Sequence, residues 1–123
     1  MNFFKRRKIL KQANFLDLIP IRNMQYEVSE NGNINILIPK FKNISLRKII
    51  IPNNKSHFIK VKLDELGSQT WLAIDDKRTV EQIYSYLAEK YGEKISPVEE
   101  RVNKFITILY QQQYITFKQL LQI

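Results

Sequence analysis

Two pairs of side chains have the types and spacing from which chemistry could be built. Asp75-Asp76 sets two carboxylates side by side, and Ser56-His57 sets a hydroxyl beside the chain's one imidazole. A base needs an orienting partner, and a nucleophile needs an oxyanion pocket; the sequence around His57 supplies neither. Adjacent carboxylates just ahead of Thr79 read as a turn that favours the N-terminus of the next helix. Glu99-Glu100 read as first-turn partners of a further helix dipole, and Trp71 and Tyr84 as core. The absence of cysteine removes thiolate zinc, iron–sulfur ligation, disulfides and thiol nucleophiles, and a single histidine cannot build a histidine cage. Three scattered glycines make no phosphate cradle. The composition therefore argues against an enzyme and requires neither metal nor cofactor.

What remains is charge. The chain has 123 residues, 44% of them apolar, enough for one ordinary domain with a core. Its 20 Lys/Arg against 12 Asp/Glu give +8. The excess is one-sided: residues 1–62 hold 13 basic and 3 acidic side chains, residues 63–123 hold 7 and 9. Such asymmetry implies an anionic partner for the first half: nucleic acid, an anionic membrane surface or an acidic peptide. No run approaches the ~18–20 apolar residues that cross a bilayer. The start, Phe3-Phe4-Lys5-Arg6-Arg7-Lys8-Ile9-Leu10-Lys11, lacks the apolar stretch of a signal peptide. A cytoplasmic protein is the expectation.

Local patterns predict the elements that position these charges. Residues 1–21 read as a basic lead-in, with a short helix near Lys5–Ala13, stopped before Pro20. Met24, Tyr26 and Val28 alternate, then Ile34, Ile36 and Ile38; Asn31-Gly32 between them predicts a hairpin, since both residues tolerate the positive φ of a tight turn. Pro39 closes the second strand. Residues 40–55 form a basic insert without one acid, in which Ser45 could cap a short helix carrying Leu46, Ile49 and Ile50 before Pro52. Ser56–Leu63 then alternates as a third strand, with Ile59, Val61 and Leu63 on one face and Phe58, Lys60 and Lys62 on the other.

Three helices follow. The first, over about Asp64–Ile74, is capped by Asp64 and buries Leu66, Trp71 and Ile74. The second opens on a Thr79–Gln82 capping box, buries Val80, Ile83, Tyr84, Leu87, Ala88 and Tyr91, and stops at Gly92. The third opens on Ser96-Pro97, with Pro at the first helical position and Glu99 completing a box; Val98, Val102, Phe105, Ile106 and Leu109 form its stripe. Tyr114–Phe117 reads as a terminal strand, and 118–123 as a tail. The expected fold is α+β and winged-helix-like: a three-stranded antiparallel sheet, three helices and a short last strand, with one domain over 22–117.

The run Val61-Lys62-Leu63-Asp64-Glu65-Leu66-Gly67-Ser68-Gln69-Thr70-Trp71 resembles the entry to the helical half of the PqqD family. Ile74-Asp75-Asp76-Lys77-Arg78-Thr79-Val80-Glu81-Gln82-Ile83 is similar to its aspartate–glycine–x–x–threonine–valine–x–x–isoleucine join, and Val102 to Ile115 to its last helix and apolar pair. Asp17-Leu18-Ile19-Pro20-Ile21-Arg22 and Ile38-Pro39-Lys40-Phe41 look like a longer branch of the same family. The resemblance spans roughly 22–117, apart from the insert. Asp76 and Gln113 depart from it, each standing where the family has a tight-turn glycine, so the backbone there is expected to differ. The resemblance implies a peptide chaperone, or RiPP recognition element. Such a domain holds the leader of a ribosomally made precursor and presents it to a modifying enzyme, commonly a radical S-adenosylmethionine maturase, as in coenzyme PQQ synthesis. It also implies that the leader adds as a strand to the edge of strand three and lies against the third helix.

The residues themselves permit that mechanism. An exposed strand edge offers unpaired N–H and C=O groups to a guest chain, while side-chain pockets select its sequence. The third strand has no proline to interrupt donation, and Lys60 and Lys62 guard against self-pairing yet suit an acidic guest. On the third helix Arg101, Lys104, Ile108 and Gln112 share one flank of the core stripe; Ile108 and the edge of Phe105 make a pocket, and the two cations meet carboxylates. The candidate peptide-binding residues are thus Phe58, Ile59, Lys60, Val61, Lys62, Arg101, Lys104, Phe105, Ile108 and Gln112.

The alternative is a DNA-binding winged helix. A recognition helix presents its first turn to bases and phosphates, and here that turn carries Glu99 and Glu100. A peripheral membrane role would use Phe3-Phe4 and Ile49-Ile50-Ile51 together with the basic segments.

Overall fold

Residues 14–40, 58–92 and 97–121 are described by the computed structural model. The helices expected near Lys5–Ala13 and Ser45–Pro52, His57, Ser96 and the apolar patches Phe3-Phe4 and Ile49-Ile50-Ile51 lie outside those residues. The chain divides into two units, Met24–Ser68 and the chain on either side of it, up to Asn23 and from Gln69 onward.

The first unit is a sheet. Its strands β2 (Gln25–Val28), β3 (Ile34–Pro39) and β4 (Phe58–Lys62) are antiparallel in the order β2-β3-β4. Directly opposed residues share a face, so the register Tyr26–Ile36–Val61 and Glu27–Asn35–Lys62 sorts one apolar and one polar face as the alternation predicts. Ile34 and Ile36 are fully buried. The hairpin differs from the expected two-residue turn. The amide of Ser29 donates to Asn33 O at 2.8 Å and that of Gly32 to Ser29 O at 2.9 Å, leaving a three-residue loop in which only Gly32 takes positive φ, at 87°. A loop of this length is a type I turn followed by one left-handed residue, and the Asn31 side chain accepts from the amide of Asn33. Pro39 fits in a central strand because its missing N–H faces the β2 side, where β2 has already ended. Helix α1 (Glu65–Ala73) begins in this unit, with the Asp64 carboxylate accepting from the Gly67 amide at 2.7 Å.

The second unit is helical. Helix α2 (Val80–Tyr91) opens on the expected reciprocal box, the Thr79 hydroxyl accepting from the Gln82 amide and the Gln82 side chain from the Thr79 amide. Helix α3 (Val98–Gln111) begins one place later than expected: Pro97 is its N-cap, outside the helix, and offers no side-chain cap. Trp71, Ile74, Val80, Ile83, Leu87, Val102, Ile106 and Leu109 form the core, whereas Leu66, Val98 and Phe105 are half-buried and Ala88 is exposed.

The terminal strand β5 (Ile115–Phe117) finds a partner that alternation does not reveal: β1 (Pro20–Arg22), antiparallel to it. Here Pro20 opens a strand instead of only ending a helix. The amides of Asn23 and Lys118 donate to Tyr114 O and Ile19 O, which puts the missing N–H of Pro20 on the outer side of the ladder. Just before it, a 3-10 turn over Phe15–Asp17 leads to fully buried Leu18, and α4 (Lys118–Leu121) follows β5 with Leu120 buried. The expected plan of sheet, three helices and terminal strand holds, with β1 and α4 added.

Candidate functional site

The sheet unit ends on β4, and the ladder parity fixes which of its backbone groups point where. The amide of Leu63 donates to Ile34 O at 2.9 Å, so Leu63 and Ile34 stand at a hydrogen-bonded position of the ladder, joined by this one bond. Such positions alternate along an antiparallel ladder, so Ile59 and Val61 also turn their N–H and C=O groups toward β3. Lys60 and Lys62 turn theirs outward. Among the described residues no strand pairs with that outer border. The inner ladder closes beyond its last rung on Ser68, whose buried hydroxyl accepts from the Ile34 amide at 2.8 Å.

The side chains on this strand fall on two faces. Ile59 belongs to the apolar face yet is 55% exposed, and Val61 beside it is half-buried. On the polar face stand Phe58, half-buried, and exposed Lys60 and Lys62. Lys60 Nζ lies 2.8 Å from the carboxylate of Glu27, which also accepts from the Asn35 amide nitrogen Nδ2 at 3.2 Å. The Lys60 and Asn35 hydrogen bonds hold the Glu27 carboxyl below the usual glutamate range. Lys62 shares its rung with Asn35 and Glu27 and lines a polar cleft with hairpin residues Ser29, Glu30, Asn31 and Asn33.

The other predicted residues lie on α3. Arg101, Lys104, Ile108 and Gln112 are exposed, Ile108 at 45%, and Phe105 is half-buried. They recur at the three- and four-residue spacing of one helix flank, beside the buried Val102, Ile106 and Leu109. The prediction therefore resolves into one strand of the sheet unit and one helix flank of the helical unit. Sequence reasoning missed Glu27 and Asn35, which join Lys60 only once the register β2-β3-β4 is known; their polar places in two alternating strands were the available signal.

Asp75 behaves as a turn residue. Its Oδ1 accepts from the amides of Lys77 and Arg78 at 3.0 and 2.8 Å. Burial pushes this carboxyl up, but those amides and the Arg78 guanidinium outweigh it and hold it below the ordinary aspartate value. Asp76 and Gln113, which stand where the resemblance has glycines, take positive φ, at 66° and 65°, a conformation that glycine adopts readily.

The family model for coenzyme PQQ synthesis protein D (PqqD) matches residues 49–115, more than half of the chain. The match runs from within the basic insert, through β4 and the three helices, into β5, and leaves out the β2–β3 hairpin. No curated protein and no solved structure matches the chain significantly.

Proposed function

The chain belongs to the PqqD family of peptide-binding accessory proteins, and from that premise we propose that it is a non-catalytic chaperone for a ribosomally made precursor peptide. The leader segment adds as a strand to the outer border of β4 and is presented to a modifying enzyme, a radical S-adenosylmethionine maturase or one of similar task, in the cytoplasm. The single observation that carries this reading is the outward row of backbone groups at Lys60 and Lys62. A guest chain satisfies such groups by main-chain hydrogen bonds and is selected by alternate side chains. Self-pairing of two copies along this border would set lysines against lysines, which is unfavourable. The exposed flank of α3, with Arg101, Lys104, Phe105, Ile108 and Gln112, is proposed as a second peptide-contacting surface, to be tested by itself. Duplex DNA is the weaker occupant, because Glu99 and Glu100 stand exposed in the first turn of α3.

Parity makes the test specific. Val61→Pro removes an inward N–H and damages the sheet; Lys62→Pro removes an outward one and leaves the β3–β4 ladder whole. Lys62→Pro is therefore expected to keep the native far-ultraviolet dichroism and melting temperature while leader affinity in calorimetry falls about tenfold or more, the loss of one to two net hydrogen bonds. Lys62→Ala, which keeps the N–H, should retain most of that affinity. Equal binding by the parent and the proline variant would overturn the reading.

A further inference from the structure

The polar face at the β4 border carries two cations that are not equivalent. Lys60 is already met, within the fold, by a carboxylate two strands away: Glu27 Oε1 lies 2.8 Å from its Nζ. That carboxylate is held in place by Asn35 Nδ2 at 3.2 Å, and Asn35 is nearly fully buried. Lys62, one alternation further along the same face, has no carboxylate within ion-pair distance among the described residues. Counting Lys60, Lys62 and Glu27, the strand face thus offers a guest one net positive charge where the sequence of β4 alone advertises two, and Glu30 of the hairpin loop lines the cleft of Lys62 without an ion pair to it.

We propose that Glu27 sets the charge specificity of this border, so that it selects a strand bearing one acidic side chain, read by Lys62, over a strand bearing two acids spaced i, i+2. The proposal rests on the strand-addition reading and deepens it. In an added strand, alternate residues fall on one face. Guest positions beside Lys60 and Lys62 share the polar face, and those beside Ile59 and Val61 share the apolar one. The preferred guest is therefore an alternating chain with apolar residues on one side and a single carboxylate on the other. A second carboxylate beside Lys60 would either displace Glu27 or face it as a like charge, and a like charge directly opposite is unfavourable. The Glu27–Lys60 pair is half-exposed, so the bias is modest and reversible, as for surface pairs generally.

The test uses synthetic peptides of roughly ten residues, the upper end of strand lengths, alternating valine with threonine. Two central threonines on the same face are replaced by none, one or two glutamates. Titration into the full chain should rank one acid above two and two no better than none. Glu27→Gln frees Lys60 and should move the optimum to two acids, raising the two-acid to one-acid affinity ratio by about two- to fivefold, the scale of a surface pair. Glu89→Gln, the same change of net charge on an exposed position of α2, should leave the ratio unchanged. If the peptides bind and protect the amides of Lys60 and Lys62 from exchange, but Glu27→Gln leaves the ratio at its parent value, this inference fails and strand addition stands. If no peptide of the set binds, or binding leaves both amides unprotected, strand addition fails and takes the inference with it.

Discussion

Among the described residues the helical unit holds most of the fully buried apolar side chains, although Leu72, Ile108 and Leu121 stand exposed; the sheet unit holds few. In the former β1 and β5 pair with each other, Phe117 packs edge-on to Phe15 at 6.1 Å and beside Tyr110 at 5.1 Å, and Leu18, Trp71, Ile83 and Ile106 are sealed from solvent. In the latter, complete burial of apolar side chains is confined, among the described residues, to Ile34 and Ile36, while Val28 and Ile59 stand 62% and 55% exposed. Backbone groups left without a ladder are costly to bury but ready to recruit. Most of the buried core thus lies in one unit, while the border proposed for recognition, the outer edge of β4, lies in the other.

The largest effect that would break this comparison is in stability. Trp71→Ala should lower unfolding free energy by about 3–5 kcal/mol, as for other buried aromatics, whereas Val28→Ala on the sheet should stay within about 0.5 kcal/mol. Urea denaturation checks both, and a reversed order would mean that the sheet carries the stability. Next in size, Arg101→Glu and Lys104→Glu should each weaken leader binding by about 1–3 kcal/mol, the range for charged hydrogen bonds, with unchanged melting temperatures. Parent-like titrations of both would confine recognition to β4.

Smaller still is the cost of the two left-handed positions. A non-glycine residue there is strained by about 1–2 kcal/mol, offset in part by the chain entropy a glycine would lose. Gln113→Gly should accordingly raise stability by about 0.5–1 kcal/mol, read as a higher melting temperature. The smallest effect is electrostatic. Glu27 and Asp75 titrate below their ordinary values, so each is stabilising above its unfolded pKa, and the contribution disappears as pH falls through the folded one. Melting temperature should therefore decline from about pH 5 downward, and the double variant Glu27→Gln, Asp75→Asn should decline less steeply.

Much of this was legible in the sequence where the controlling physics is local. The Thr79–Gln82 box, the Asp64 cap, the Gly92 stop and the alternation of all three sheet strands depend on neighbours a few places away, and each forms as expected. What escaped depends on distant partners. Pro20 looked like a helix stop because nothing local says that Thr116 lies opposite Ile21. The inward direction of the Val61 amide is equally invisible until one ladder bond, Leu63 to Ile34, sets the parity. The glycine-less turns at Asp76 and Gln113 show the converse: there the surrounding structure, not the side chain, dictates φ.

Residue-resolved amide exchange on the full chain, with and without a bound leader peptide, tests the central claim most directly. The amides of Ile59, Val61 and Leu63 should exchange slowly in both states, and those of Lys60 and Lys62 should pass from fast to slow when the peptide binds. Saturating peptide that leaves Lys60 and Lys62 exchanging as fast as before would contradict the account.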